Sequence, residues 1–480
     1  GYMEGVELGL YDSFATGGEY AIYRDANGQW QRITNAVTAM TGDVYVIEEA
    51  PNGDIYLGGN FTNAGGIAEA DYLCKWTTAD AIDDVTGAAD FGGVVYAIAF
   101  DADGNCYIGG DFTDAGDADG DGIVKWDGSS LSSLGTGADD NGVHAIAIEP
   151  DTGDIYVGGD FTGIGGVADT PRIAYWDVSA SEWKPLSTGL ADGEVYTLAF
   201  APNGDLYIGG TFTNADGSNG DYICYWDGSA FNMGGDTEVS GGAPSTYVRG
   251  IAFDDNGVLY ATGSFLNAGG DANADNIARF KGGQWEGLGT GIGSLGYHLF
   301  IDGNDVYASG ESRTAGGLNI NDSVALYTNG AWISINVDFG TSGTIYDVMI
   351  SSANELYIGG SFTGTTKAND SLSVTNGGNA KIYPVIEIEG PGTVQSITNY
   401  TTGKKIQFDG LTLQTGEIIA LDMNPTGGVV SKRFTSTWYG RGYLSKYVNA
   451  GSDYGQFYLK PGANYISLFM PSGTSAATQA

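Results

Sequence analysis

The sequence predicts an all-β protein: a seven-bladed β-propeller of four-stranded blades, followed by a small, separate β-sandwich. One observation is composition, since 480 residues with 80 Gly, 11 Pro and 12% aromatic residues suit many short strands joined by tight turns. The second is a motif, Leu/Ile-Tyr-x-Gly-Gly-x-Phe-Thr, which recurs along the first 363 residues. The third is the period of this motif, about 50 residues, a repeat length typical of propellers.

The motif occurs in five complete and two degenerate copies. The first copy covers residues 55–62, and the degenerate copies begin at Tyr260 and Tyr307. Its second glycine falls at Gly59, Gly110, Gly159, Gly210, Gly263, Gly310 and Gly360. Near the crowded axis of a propeller neighbouring backbones approach closely, and glycine has no Cβ to obstruct them. The glycine pair followed by an aromatic residue resembles kelch-type repeats.

Each repeat contains four strand candidates. The first is an alternating apolar run such as residues 95–100, and a turn such as 202–205 leads to the second strand, which carries the motif. The third ends in an aromatic residue: Trp76, Trp126, Trp176, Trp226, Phe280 and Tyr327. The fourth is short and in three repeats carries Trp183, Trp285 or Trp332. Four antiparallel strands in each period form one propeller blade.

The N-terminal segment is predicted to close the ring. Seven copies of the first two strands are present, but only six copies of the third and fourth strands follow them. The missing pair matches residues 20–24 and 29–31, which are separated by a turn. We therefore predict a propeller over residues 19–363, whose last blade is completed by the N-terminal strands so that no sheet edge is left exposed. Residues 1–18 form a lead-in without an assigned structure.

The repeat stops after residue 363. Residues 364–373 are polar and predict a linker. Residues 374–480 contain short alternating runs separated by turns, which predict a β-sandwich with a short C-terminal tail.

Four motifs stand out between residues 374 and 470. They are TN-x-G-x-A followed by YP-x-I-x-I-x-GPG, then TTGK, GE-x-I-x-L-D and LKPGANYI. With these motifs the region resembles the galectin-like C-terminal domain of siphophage distal tail proteins. The resemblance implies a phage or phage-derived tail particle, in which such domains serve as attachment or carbohydrate-facing modules. The belt domain of that family has no counterpart here, because a propeller stands in its place.

Charge is distributed unevenly along the chain. The formal net charge is −40, yet eight of the 19 Lys and Arg residues lie from residue 376 onward, with only six of the 59 Asp and Glu residues. The strongly acidic remainder lacks the basic footprint that nucleic acid binding requires, so no nucleic acid partner is expected. It suits solubility, exposure to salt or cation binding. No run is long and apolar enough to predict membrane insertion.

The best candidate for a metal site is the segment DADGDG at residues 117–122. Asp117, Asp119 and Asp121 place carboxylates at the first, third and fifth positions, as in the first half of a calcium loop. The twelfth position is Gly128 rather than a bidentate glutamate, so a solvated acidic turn is the alternative. The similar segment 101–105 is the ordinary hairpin turn of the repeat. Calcium is the only cofactor that the sequence suggests.

Aromatic residues and cysteines are assigned to the core for the most part. One tyrosine per repeat, at the same strand position, favours packing between blades: Tyr56, Tyr107, Tyr156, Tyr207, Tyr260, Tyr307 and Tyr357. Cys74, Cys106 and Cys224 are predicted to be buried thiols. Exposed Trp and Tyr residues of the fourth strands are the better candidates for stacking on sugars, although the sequence assigns no binding residue.

Catalytic signals are weak. The two histidines, His144 and His298, occupy different positions of the repeat, and no nucleophile elbow, zinc spacing or phosphate loop is present. Carboxylates lie mostly in turns that recur from blade to blade, which does not favour one unique acid–base pair. We therefore predict no enzymatic activity and no catalytic residues.

The leading hypothesis is a structural and binding component of a phage tail, located in the virion and extracellular. Its propeller would bind host surface polysaccharide or a neighbouring tail protein, and the chain would be repeated as a homo-oligomer in the particle. The alternative is a cellular extracellular adhesin or surface-layer protein, and a polysaccharide-cleaving enzyme is less favoured. Ligand, host and copy number do not follow from the sequence, since a fold alone does not fix a function.

Overall fold

The structure is a computed structural model. The residues it describes are 20–26, 30–33, 40–79, 81–85, 91–140, 142–213, 215, 221–233, 247–311, 314–319, 323–328, 330–335, 337–338, 343–362, 367–368, 372–376, 385–389, 392–399, 401–413, 418–422, 431–434, 458, 462–469 and 478–479. The lead-in at residues 1–18 lies outside them.

Seven four-stranded antiparallel sheets form blades 1 to 7. The innermost strands are Val44–Glu49, Val94–Phe100, Val143–Ile148, Val195–Phe200, Tyr247–Phe253, Gly296–Asp302 and Thr344–Ile350. The second strands are Ile55–Gly59, Cys106–Asp111, Ile155–Gly159, Leu206–Gly210, Leu259–Ser264, Asp305–Gly310 and Leu356–Ser361. The third strands are Leu73–Thr77, Ile123–Trp126, Ile173–Asp177, Ile223–Trp226, Ile277–Lys281, Val324–Thr328 and, in blade 7, Ala21–Arg24. The outermost strands are Ala81–Asp83, Leu131–Ser133, Glu182–Pro185, Phe231–Met233, Gln284–Gly287, Ala331–Ser334 and, in blade 7, Trp30–Arg32.

The ring is closed as predicted. Each innermost strand packs against those of its two neighbours, and that of blade 7 packs against that of blade 1. The N-terminal strand Ala21–Arg24 pairs with Leu356–Ser361, which places Tyr23 opposite Tyr357 with stacked rings 5.1 Å apart. The strand Trp30–Arg32 pairs with it on the outer side. The prediction that the N-terminus completes the last blade is therefore confirmed.

Few other elements occur among the described residues of the propeller. Two short 3-10 turns, Ala64–Gly66 and Ala268–Gly270, lie between second and third strands. Thr314–Ala315 pairs with Leu318–Asn319, and Val337–Asp338 pairs with Lys367–Ala368. In the described part of the chain we find no helix with the length and hydropathy needed to cross a membrane.

The C-terminal strands form two four-stranded sheets. One contains Leu372–Asn376, Gly392–Asn399, Lys404–Leu413 and Gly462–Phe469. The other contains Val385–Glu389, Ile418–Asp422, Ser431–Phe434 and Thr478–Gln479. The predicted linker at 364–373 includes the pair partner Lys367–Ala368 and the start of the first C-terminal strand. A galectin-like sandwich built from these two sheets stays a prediction.

The glycine pair of the motif has a clear steric cause. At the second glycine of every blade, an added Cβ would lie within 1.9–2.2 Å of a carbonyl oxygen at the start of the innermost strand, on its first residue or the residue just before it. At the first glycine, the Cβ would collide with the next blade: that of Gly58 would lie 2.5 Å from Val95, and that of Gly359 would lie 2.7 Å from Val44. The pair therefore allows close approach both within a blade and between blades.

Blade 5 departs from the motif at the first glycine, and a residue of the next blade compensates for the change. Thr262 replaces the first glycine and is fully buried. Its hydroxyl donates to the carbonyl of Asn276 at 2.8 Å. Opposite it the next blade has Gly296, where an added Cβ would lie 1.9 Å from the Thr262 hydroxyl. The threonine side chain on blade 5 thus fits because the facing position on blade 6 is a glycine without a side chain.

The apolar core lies between the blades. The motif phenylalanines Phe61, Phe161, Phe212 and Phe265 are fully buried. Of the motif tyrosines, Tyr56, Tyr107, Tyr260, Tyr307 and Tyr357 are buried, and Tyr156 and Tyr207 are half-buried with their rings against neighbouring aromatic side chains. All three cysteines are buried and free, and burial raises the pKa of each thiol. The predicted core assignments of these residues are confirmed.

Three tryptophans of the outermost strands are not among the exposed aromatic side chains that the sequence favours for stacking on sugars. Trp183, Trp285 and Trp332 are only 3–4% exposed, so they are not available for stacking on sugars. Trp183 Nε1 donates to the carbonyl of Leu134 at 2.6 Å, and Trp332 Nε1 donates to that of Leu288 at 2.6 Å. The indoles of Trp183 and Trp332 thus anchor blades 3 and 6 to the residue that follows the outermost strand of the preceding blade.

The steric role of the second glycine is open to a direct test. In Gly110→Ala the Cβ would lie 2.0 Å from the Val94 carbonyl oxygen, and we expect a loss of about 3 kcal/mol in the free energy of unfolding. The matched control is Gly104→Ala in the hairpin turn of the same blade. Its Cβ meets nothing within 4 Å, but its φ of +85° should still cost about 1 kcal/mol. Urea unfolding followed by tryptophan fluorescence measures both, and equal losses would contradict the steric account.

Candidate functional site in the axial channel

Every innermost strand carries one β-bulge, placed opposite the glycine pair of the second strand or, in blades 5 and 6, opposite Thr262-Gly263 and Ser309-Gly310. A bulge adds an unpaired residue to one strand and redirects its side chain. The bulged residues, which we call the collar, are Tyr45, Tyr96, His144, Tyr196, Arg249, Tyr297 and Tyr346. In blade 6 the irregularity also includes His298.

All seven collar side chains line one cavity of about 720 Å³ on the propeller axis. Consecutive members contact each other around the ring, beginning with Tyr45 and Tyr96, whose ring centroids are 5.5 Å apart. Tyr96 and His144 follow at 5.0 Å, and His144 and Tyr196 at 6.1 Å. These contacts join four successive blades.

Arg249 supplies the one cationic member of the collar. Its guanidinium carbon lies 4.3 Å from the ring centroid of Tyr196 and 4.8 Å from that of Tyr297, so both flanking rings make cation–π contacts with it. Tyr297 then contacts Tyr346 at 5.0 Å, and Tyr346 contacts Tyr45 at 4.8 Å. The collar is therefore a closed ring of contacting side chains.

The spacing of the collar sets the width of the channel. Seven centres separated by 4.3–6.1 Å fit on a circle with a radius of about 6 Å. After the thickness of the rings is taken into account, the opening admits one extended chain or one small ring at a time. A folded partner cannot enter it.

The residue that follows the glycine pair holds collar hydroxyls in place. Asn60 Nδ2 donates to the Tyr45 hydroxyl at 3.0 Å, and the Tyr297 hydroxyl donates to Glu311 Oε1 at 3.3 Å. Glu194, one residue before the innermost strand of blade 4, hydrogen-bonds Tyr196. Burial, followed by such carboxylate neighbours, raises the pKa of Tyr196 and Tyr297, so the phenols stay protonated.

An acid–base cluster lines the same cavity next to the collar. His298 Nδ1 lies 2.6 Å from Asp347 Oδ1, with the histidine side chain 40% exposed to the channel and the aspartate 7%. Asp347 is fixed because it accepts the backbone N–H groups of Ile47 at 2.6 Å and Val348 at 2.7 Å. Glu48 completes the cluster from blade 1, so the cluster spans blades 6, 7 and 1.

The charge of Asp347 favours the protonated forms of both Glu48 and His298. Burial, together with the charge of Asp347, raises the pKa of Glu48 to about 8. Burial lowers the pKa of His298, but the charge and hydrogen bond of Asp347, together with smaller contributions from Val348 and Glu48, raise the pKa overall. A carboxyl group with a raised pKa beside a histidine and a fixed carboxylate is an arrangement found at functional sites.

The three aspartates of the calcium prediction do not come together as ligands. Asp117 Oδ1 accepts the backbone N–H of Asp119 at 3.0 Å, and Asp121 Oδ1 accepts that of Asp114 at 2.9 Å. Among the described residues no group of three His, Cys, Asp or Glu side chains is arranged to hold a metal ion. Calcium binding by this loop stays a prediction. Asp101 accepts the backbone N–H groups of Asp103 and Asn105, as expected of a hairpin turn.

The channel residues were not predicted as a site. His144 and His298 do differ in repeat position, but both line the same channel. The sequence feature that marks the collar is a tyrosine, histidine or arginine located 13 to 15 residues before the second glycine in every repeat. This position lies within an alternating apolar run, and the alternation does not indicate that a bulge redirects the side chain.

Comparison with known proteins agrees with the propeller fold. Residues 128–294, about a third of the chain, match the family model described as the Rax2 C-terminal beta propeller domain. A search of curated protein sequences found no match. Together with the seven sheets, the family match supports a seven-bladed β-propeller.

Several solved structures are similar at a distance. The extracellular domain of a putative hybrid two-component system from B. thetaiotaomicron is 13% identical with a TM-score of 0.45, and the match covers 86% of this chain and 48% of that one. The chain thus spans about half the length of that structure. A virginiamycin B lyase from Staphylococcus aureus is 13% identical (TM-score 0.41, 66% of this chain and 94% of that one), and a streptogramin B lyase is 10% identical (TM-score 0.44, 72% and 95%). At such distances the likenesses carry no information about what this chain binds.

The acid–base cluster predicts a pH-dependent stability. A carboxyl whose pKa is higher in the folded state stabilises the fold fully below its unfolded pKa, and this contribution is lost as the pH rises through the folded pKa. For Glu48 this interval runs from about pH 4.5 to about pH 8. We expect Glu48→Gln to reduce the fall in Tm across this interval and to raise the Tm at pH 8 by roughly 2 °C.

Thermal unfolding from pH 5 to pH 8 measures this effect. The matched control is Glu182→Gln on the exposed outermost strand of blade 3, which should leave the slope unchanged. Identical slopes for the wild type and Glu48→Gln would show that Glu48 is ionised in the folded protein.

Proposed function

We propose that this chain is a non-enzymatic attachment protein that binds glycan chains in its axial channel, as part of a phage or phage-derived tail. The observation that carries the binding role is the collar, in which seven blades each direct one side chain into a single cavity. Seven bulges at matching positions are more than the packing of a propeller requires, since a core position needs no redirected side chain.

The chemistry of the collar favours sugars. A tyrosine offers an apolar face for stacking and a hydroxyl for hydrogen bonding, which together suit the alternating C–H and O–H surfaces of a sugar ring. A cavity of this volume, with aromatic walls and a few placed polar groups, is typical of small-ligand sites. The width of the channel excludes a folded protein, and the charge of −40 disfavours nucleic acid.

The assignment to a phage tail rests on the C-terminal motifs described above. On this proposal the C-terminal sheets contact other tail proteins or a second sugar, several copies of the chain assemble in one particle, and the propeller is presented to the host surface. The alternative, a cellular extracellular adhesin or surface-layer protein, would use the same collar for the same chemistry. The two differ in where the protein is found.

Immunogold electron microscopy separates these locations. An antibody against residues 19–363 should label phage tails in particles purified from the source culture. Label on cell surfaces, with phage tails unlabelled, would contradict the virion assignment and favour the adhesin.

Loss of collar rings should weaken glycan binding. For a glycan identified on an array, we expect Tyr96→Ala and Tyr45→Ala each to lower the affinity about tenfold, corresponding to one lost stacking contact. The control is Tyr225→Ala, which removes a half-buried tyrosine from the third strand of blade 4, outside the channel. Isothermal titration calorimetry measures the affinities, and an effect of Tyr225→Ala as large as that of Tyr96→Ala would contradict a channel site.

One observation favours an enzyme as the second candidate. In the cluster of Glu48, His298 and Asp347, the pKa of Glu48 is raised to about 8, so a ligand-sized channel contains a carboxyl group protonated near neutral pH, as general acid catalysis requires. Incubation of bound glycans with the protein, followed by chromatography of the products, tests this role. Shortened chains formed by the wild type but not by His298→Gln would favour the enzyme over the attachment protein.

A further inference from the structure

Two buried nitrogen atoms of the collar are without hydrogen-bond partners among the described residues: Arg249 Nε and His144 Nδ1. They lie on either side of Tyr196, which contacts both side chains. Arg249 also forms no ion pair with any described carboxylate. Buried polar atoms are nearly always satisfied, so two of them beside one aromatic ring indicate a polar ligand at this point of the channel.

The two nitrogen atoms require opposite hydrogen-bonding partners. Arg249 Nε is a donor only. The faces of its guanidinium are covered by Tyr196 and Tyr297, so a ligand must approach in the guanidinium plane. His144 Nε2 lies 3.6 Å from Asp160 Oδ1, too far for a hydrogen bond, but the charge of this carboxylate favours the tautomer with the ring proton on Nε2 and a lone pair on Nδ1. Burial lowers the pKa of His144, which supports the neutral ring.

A ligand that satisfies both atoms must accept from Arg249 and donate to His144. Hydroxyl groups do both, whereas a carboxylate cannot donate and an ammonium group cannot accept. Carboxylates near this side of the collar also disfavour an anionic ligand. Asp111, Asp160 and Glu194 all lie close enough to influence the charge of His144, and they would repel an anionic ligand.

We infer that the collar binds the end of an uncharged, hydroxyl-rich glycan chain, with one alcohol group accepting from Arg249 Nε and another donating to His144 Nδ1, and that it rejects acidic glycans. This inference rests on the glycan-binding function proposed above and specifies its ligand. End-on entry follows from the closed collar, since a ring of contacting side chains offers no open side through which a chain could be laid in.

The test is an array of neutral and acidic microbial glycans probed with the full chain at physiological salt. The array includes oligogalacturonides and hyaluronan oligosaccharides, each next to a carboxyl-reduced counterpart in which the carboxylates have become primary alcohols. We expect bound glycans to be uncharged, and any reduced form that binds to do so at least about tenfold more tightly than its acidic parent.

The results of the array distinguish a failure of the inference from a failure of the proposed function. Acidic glycans that bind as tightly as their reduced counterparts would overturn the inference while leaving the glycan-binding function standing. An array without any bound glycan would overturn the proposed function and the inference with it.

Two variants test the assigned contacts on a glycan that binds. Arg249→Met keeps an apolar stem between the tyrosines, and His144→Phe keeps a ring, but each removes one of the two nitrogen atoms. We expect each to lower affinity about tenfold with little change in Tm, while Tyr225→Ala retains wild-type affinity. Unchanged affinity in both variants would show that these nitrogen atoms do not contact the ligand.

Discussion

The close approach of the first two strands of each blade is the constraint on which the rest of the structure depends. At the second glycine of the motif there is space for a hydrogen atom and no more, because a carbonyl oxygen at the start of the innermost strand, or just before it, occupies the position that a Cβ would need. This approach accompanies a bulge in the innermost strand, and the bulge directs one side chain to the axis. The close approach of the two strands thus not only packs the blade but also accompanies the bulge that forms the collar.

Because the blades repeat, the residues of the proposed binding site are distributed over the whole ring. No blade contains a binding site, since each contributes one collar residue and the channel exists only when all seven blades are assembled. The stability of the ring and the proposed binding site are coupled for the same reason: the N-terminal strands complete the sheet of blade 7, whose innermost strand places Tyr346 and Asp347 next to Tyr45 and Ile47 of blade 1. On the inference drawn above, the exceptions to the repeat, Arg249 and His144, supply what five tyrosines cannot: a donor without an acceptor function and an acceptor nitrogen.

Much of the fold could be predicted from the sequence because it depends on local signals that recur. The glycine pair, the Asn-Gly and Asp-Gly turns and the surplus of inner strands over outer ones predict the blades and the closure of the ring. The collar could not be predicted in this way, because a bulge shifts one residue out of an alternation that otherwise looks regular, as at Tyr96. Burial of Trp183 was missed for a different reason: loops with glycines at Gly135 and Gly165 lie against its indole, and contacts between distant loops leave no periodic signal.

The most direct test of the collar as the binding site is a crystal structure of the propeller soaked with an oligosaccharide that it binds. The account predicts electron density for a sugar inside the channel, with its ring against collar tyrosines and hydroxyl groups within hydrogen-bonding distance of Arg249 Nε and His144 Nδ1. A sugar bound to the outer strands or to the C-terminal sheets, with only water in the channel, would contradict it.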